Sequence, residues 1–121
     1  MKYMLLIYVD EQAYARLSGD ERQEITGEYM QLVQQLTKSG KYLAGAPLQP
    51  TATATSVRVR DGRQLTTDGP FAETKEQLGG YFLVEATDKK EASGIAARIP
   101  GARMGTIEVR EVIEVPAVTT A

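Results

Sequence analysis

The sequence predicts an α+β fold: two strand–helix–strand halves with a β-hairpin inserted between them. Three observations carry that expectation. Residues 2–9 and 78–86 alternate apolar side chains with the period of a strand. Two further segments repeat apolar residues at helical spacing, each behind the Ser/Asp-x-x-Glu signature of a capping box. Between the halves, Asp61-Gly62 separates two short alternating runs, which is how a hairpin is written.

In order, residues 2–9 place Tyr3, Leu5, Ile7 and Val9 on one face of a strand and Met4, Leu6 and Tyr8 on the other, so both faces seek burial. Asp10, Glu11 and Gln12 end the strand, and residues 13–17 suit a turn of helix. Ser18 and Glu21 form the first capping box, and Ile25, Tyr29, Leu32, Val33 and Leu36 make the buried stripe behind it. Lys38 favours the last turn, and Gly40 supplies a left-handed stop. Residues 41–46 read as a short strand closed by Pro47, with Pro50 loosening the connector to the hairpin.

Residues 56–67 read as the hairpin. A two-residue loop would pair Arg60 with Arg63 and leave Leu65 among arginines. A three-residue loop, Arg60-Asp61-Gly62, pairs Val57 with Leu65 and puts Arg58 and Gln64 on the other face; its better use of the apolar residues selects it. Residues 78–86 set Phe82, Val84 and Ala86 against Tyr81 and Leu83, with Glu85 at the fringe. Asp88 and Glu91 then open a helix whose stripe is Ala92, Ile95, Ala96 and Ile99, and Pro100-Gly101 ends it. Residues 106–115 close the fold, with Ile107, Val109, Ile113 and Val115 on one side. Glu111 interrupts that side, and a bulge there accommodates it.

This order is that of a ferredoxin-like fold. Its two helices cover one face of the sheet, yet the strands at 2–9 and 78–86 are apolar on both. A second copy packed face to face is the simplest cover, so a homodimer is expected.

At 121 residues the chain is expected to be one domain over residues 1–115, followed by a tail at 116–121 that frays. A formal charge of −2 removes the basic field on which nucleic-acid binding relies. No apolar run is long enough to span a membrane or to serve as a signal segment, so a cytoplasmic protein is expected. With no Cys there is no thiol nucleophile; with no His there is no imidazole base, and metals are left with carboxylates alone. No cofactor is expected, and Gly69, Gly79 and Gly80 match no phosphate-loop spacing.

Residues 67–82 are the stretch least explained by packing: a Gly-Pro turn, charges at Glu73, Lys75 and Glu76, and a Gly-Gly pair. Asp68 is its centre. An Asp commonly bonds the N–H two residues on, but Pro70 has none, so Asp68 either takes the N–H of Phe71 or faces a pocket as a base or ligand anchor. Arg58 can clamp an anion in a bidentate way or decorate an edge strand. Lys75 is a second cation for such a ligand, or half of a surface ion pair with Glu76. Tyr8 and Tyr81 are hydroxyl donors on strands otherwise made of core residues, where a packed ring is the plainer role. Asp10 could join Asp68, although two carboxylates hold a divalent ion only weakly.

Asp68-Gly69-Pro70-Phe71, with the opening at residues 1–8, the connector at 49–55, the Val57-to-Arg63 run and Glu108-Val109-Arg110, resembles the DGPF branch of the YCII-related family over nearly the whole chain. The resemblance implies a ferredoxin-like fold paired into a dimeric α/β barrel. It also implies kinship with small-molecule lyases and isomerases, and association with extracytoplasmic-function sigma factors. In the wider family a His and an Asp are suggested as an acid/base pair in a cleft. Asp68 matches the Asp; nothing matches the His, and Tyr29 stands about where the branch carries it, a departure that weighs against family-type proton transfer. The first expectation is thus a dimer binding a small anionic molecule with lyase- or isomerase-type chemistry at Asp68. The alternative is a non-catalytic accessory protein of a sigma factor.

Overall fold

A computed structural model describes residues 1–115; the expected fraying at 116–121 lies outside the described residues. The elements are β1 (Lys2–Val9), α1 (Glu11–Ala15), α2 (Gly19–Lys38), β2 (Tyr42–Pro47), β3 (Thr55–Arg60), β4 (Arg63–Asp68), β5 (Gln77–Glu85), α3 (Lys89–Arg98) and β6 (Thr106–Glu111). The main sheet runs β2-β5-β1-β6 with every neighbouring pair antiparallel. Each half's two strands are therefore separated by a strand of the other half, and the fold is α+β and ferredoxin-like.

One face of that sheet makes the core. Tyr3, Leu5 and Ile7 of β1 and Phe82 and Val84 of β5 pack against Leu32 and Leu36 of α2 and Ala92, Ile95 and Ala96 of α3, all buried. Phe82 receives the rings of Tyr29 and Tyr42 edge-on, at centroid distances of 6.3 and 5.3 Å. Burial raises the Tyr3 phenol above its ordinary range, and the nearby Glu111 and Asp88 charges raise it further.

Local signals place the helices. Ser18 Oγ accepts the Glu21 N–H while Glu21 Oε1 accepts the Ser18 N–H, the complete capping box. These bonds hold the Glu21 carboxyl below its usual range. Gly40, at φ +73°, lets Lys41 N–H reach back to Leu36 O and stop α2. At α3 the reciprocal bond moves upstream: Asp88 accepts the Glu91 N–H, but Glu91 Oε1 accepts from Thr87 N and from Lys41 Nζ.

Three expectations are corrected. The short helix α1 begins earlier than expected, because Asp10 Oδ1 caps it by accepting the N–H groups of Gln12 and Ala13. The hairpin has a two-residue loop and not three: Val57 faces Thr66, Arg58 faces Leu65, and Arg60 faces Arg63. Asp61 (φ 51°) and Gly62 (φ 72°) both lie in the left-handed region, as a type I′ turn requires. Apolar pairing exerts no pull there, since Val57, Val59 and Leu65 are 56%, 62% and 48% exposed. Finally, β6 does not bulge at Glu111 but ends there, and Ile113 and Val115 are exposed, so no apolar side needs restoring. The irregularities lie instead in β5 opposite Ile7/Tyr8 and in β2 between Tyr42 and Ala44.

Candidate functional site

The second face of the main sheet bears no residue of the core cluster. Alternation and register set what it carries. Met4 lies between Leu83 and Arg110, Leu6 between Tyr81 and Glu108, and Tyr8 between Leu78 and Thr106. Ala44 and Ala46 of β2 extend the first two rows beyond Leu83 and Tyr81. An apolar field bordered by Glu108 and Arg110 results. Tyr8 and Tyr81 both belong to it and are half-buried, so these two expected hydroxyl donors share one surface.

Two clamps fasten the chain at one end of this sheet. Glu11, just past the end of β1, accepts the N–H and hydroxyl of Thr51, four residues before β3, at 3.0 and 3.1 Å. Glu76, at the head of β5, accepts the hydroxyl of Thr106 at the start of β6, at 2.9 Å. The base of the hairpin is closed by Gly69 N–H to Ala54 O and by Ser56 Oγ to Gly69 O. Gly69, at φ +99°, turns the chain there. The end of β1 with Tyr8, the Asp68 turn and the segment holding Lys75 therefore converge on one end of the fold. Nothing in the local sequence announces these bonds of Glu11 and Glu76, because each joins residues 30 or more positions apart.

Asp68 ends β4 opposite Thr55; it is exposed, and its carboxylate accepts no hydrogen bond among the described residues. The Phe71 N–H is not its partner, and Phe71 itself is 82% exposed. Lys75 is also exposed and forms no ion pair with Glu76 among the described residues. Arg58 is not brought together with Asp68. In the observed register Asp68 shares a hairpin face with Thr55, Val57 and Thr66, whereas Arg58 shares the opposite face with Leu65, Arg60 and Arg63. Asp10 is occupied as the α1 cap, and no group of three or more acidic residues is placed to hold a metal among the described residues.

The Gly-Gly pair has a packing reason. Gly79 sits at the irregularity of β5, where a Cβ would meet Val9 Cγ2 at 3.0 Å, and a Cβ on Gly80 would lie 2.9 Å from Ala46 O. Two shallow hollows, of about 250 and 130 Å³, indent the surface elsewhere, and neither is lined by Asp68, Arg58, Lys75, Tyr8 or Tyr81.

A model of the YCII-related domain matches residues 1–116. The chain belongs to the YCII-related family. It is 34% identical over 112 residues to the uncharacterized protein R00369 of Rhizobium meliloti (strain 1021), a match covering 91% of this chain and 90% of that protein. Within this YCII-related chain, Tyr29 lies on the helix-covered side: its hydroxyl accepts the Gly101 N–H at 3.2 Å and its ring packs on Phe82. Burial raises its pKa, partly offset by that N–H. Tyr29 thus has a packing role and does not share the open face with Tyr8 and Tyr81. No helix of the described residues is long and apolar enough to cross a membrane.

Proposed function

We propose that two copies of this YCII-related chain pair through the open faces of their sheets, as a dimeric α/β barrel, and bind a small anionic molecule at the end where the Asp68 turn and Tyr8 converge. The observation that carries this reading is the apolar field of Met4, Leu6, Leu78 and Leu83 on a sheet whose helices occupy the other side. Asp68, exposed and unpartnered among the described residues, is the base or anchor of a lyase- or isomerase-type proton transfer. Lys75 supplies a cation, and Tyr8 and Tyr81 supply hydroxyl donors. Because Asp68 and Arg58 point from opposite hairpin faces, one ligand meets both only if the second copy contributes Arg58. The Asp68-Gly69-Pro70-Phe71 motif supports membership of the DGPF branch, and the net charge of −2 supports a protein with no nucleic-acid partner.

Two measurements test this. Sedimentation should give an oligomer whose mass Leu6→Asp halves while the fold persists. A thermal-shift panel of small mono- and dicarboxylates should show a ligand that Asp68→Asn loses with the unliganded Tm nearly unchanged. A monomeric native protein, or full ligand binding by Asp68→Asn, would overturn the reading. One observation favours a second reading, an accessory protein contacting an extracytoplasmic-function sigma factor: the hairpin region offers Val57, Val59 and Phe71 to solvent. Recovery of a sigma factor on the native protein, lost with Phe71→Ser, would support it.

A further inference from the structure

The main sheet has two edges, and they are built differently. The β2 edge carries Pro47 and an irregularity between Tyr42 and Ala44, both of which obstruct pairing with another strand. The β6 edge has neither. Val112 N–H bonds Lys2 O, which sets the phase of the ladder: Thr106, Glu108 and Arg110 direct their backbone groups toward β1. Ile107, Val109 and Glu111 direct theirs outward. Along that edge runs the 250 Å³ hollow, lined by Ser93, Ala96, Ala97, Ala102, Ile107 and Val109. Small residues on α3 thus leave the flank of two apolar β6 side chains uncovered.

We propose that the β6 edge is a self-association surface, joining two copies edge to edge in an antiparallel pair centred on Val109. The charge pattern selects this occupant and this register. A two-fold axis through Val109 sets Glu108 of each copy opposite Arg110 of the other, on the same face and in a closely spaced pair. Moving the axis to Glu108 would oppose two glutamates, and moving it to Arg110 would oppose two arginines. The centred register also uses the outward backbone groups of Ile107, Val109 and Glu111. It carries the two four-stranded sheets into one continuous sheet and brings the α3 helices side by side, where Ser93 and Ala97 permit close approach over the hollow. The surface is distinct from the open-face pairing proposed above, since its backbone bonds run along the strand edge and its helix contacts lie on the other side; Glu108 and Arg110 alone border both.

The test uses the full chain in a Leu6→Asp background, which removes the open-face contact. Sedimentation should then show two 13.2 kDa chains per particle. Ala97→Glu, placed on the helical side and away from the open face, should halve that mass. Glu108→Arg and Arg110→Glu should each halve it alone, and the double reversal E108R/R110E should restore it. A Leu6→Asp protein that is already monomeric, or a double reversal no better than the single changes, would overturn the inference. Amide exchange in the native chain decides independently: the Val109 N–H should be protected to the degree of its ladder neighbour Arg110, and exchange at the rate of an open edge would refute the pairing.

Discussion

The main sheet and the β3–β4 hairpin are built from similar alternating sequences, yet different physics sets their registers. In β1, Tyr3, Leu5 and Ile7 are 2%, 0% and 5% exposed, so a one-residue slip would drive the whole set out of the core. In the hairpin no residue is buried, and a slip would forfeit little apolar burial. What remains is the turn. Asp61-Gly62 accepts two consecutive left-handed conformations, and the type I′ geometry then dictates Arg60 opposite Arg63 despite their like charge. Burial specifies one region and loop conformation the other.

The sharpest way to break the contrast is to truncate one apolar residue in each region. Leu5→Ala should cost about 2–5 kcal/mol by chemical denaturation, because the fully buried site collapses only in part. Val59→Ala should stay within about 0.5 kcal/mol. A comparable loss at Val59 would mean that the hairpin is covered by a partner in solution.

The same contrast explains how much of the fold is legible in the sequence. The main strands, the α2 and α3 stripes, and Ser18 with Glu21 follow from periodicity and caps, which are local; that Tyr8 and Tyr81 share a face depends on the pairing of β1 with β5. The hairpin register did not follow, because apolar pairing selects a register only where a face is buried. The register also decides the site. A three-residue loop would place Arg58 on the Asp68 face, and the observed shift by one residue separates them. The end of β6 is illegible for a related reason: Ile113 and Val115 look like strand positions but are 86% and 80% exposed. The two clamps, Glu11 with Thr51 and Glu76 with Thr106, join distant parts of the chain and leave no trace in spacing.

A smaller perturbation sharpens the role of the turn. Gly62→Ala meets no steric neighbour within 4 Å, so its cost is the left-handed backbone alone, about 1 kcal/mol. Amide exchange should accelerate in β3 and β4 by the corresponding factor of about five and stay unchanged in β1 and β5. Acceleration spread evenly over both sheets would show that they open as one unit, and that the hairpin's register is supported by more than its loop.

The smallest expected effect concerns charge in the buried-face half. Glu91 accepts from Lys41 Nζ at 2.9 Å and from Thr87 N at 3.1 Å, and these bonds, the first above all, hold its carboxyl below the ordinary 4.5. A carboxyl whose folded pKa lies below its unfolded one contributes stability that is fully present above the unfolded value and is lost as pH falls through the folded value. Replacing Glu91 by Gln keeps an acceptor oxygen but removes the titration. The variant should be slightly less stable than the native chain near pH 7, and the gap should close as pH falls below 4.5 and on through the lowered folded value. Because Lys41 and Glu91 are each about one-third exposed, solvent limits the gain. The effect should appear as faster exchange at the β2–α3 contact, with β3 and β4 unaffected. A gap between native and variant that persists undiminished into acid would show that the carboxylate acts through packing and not through its charge.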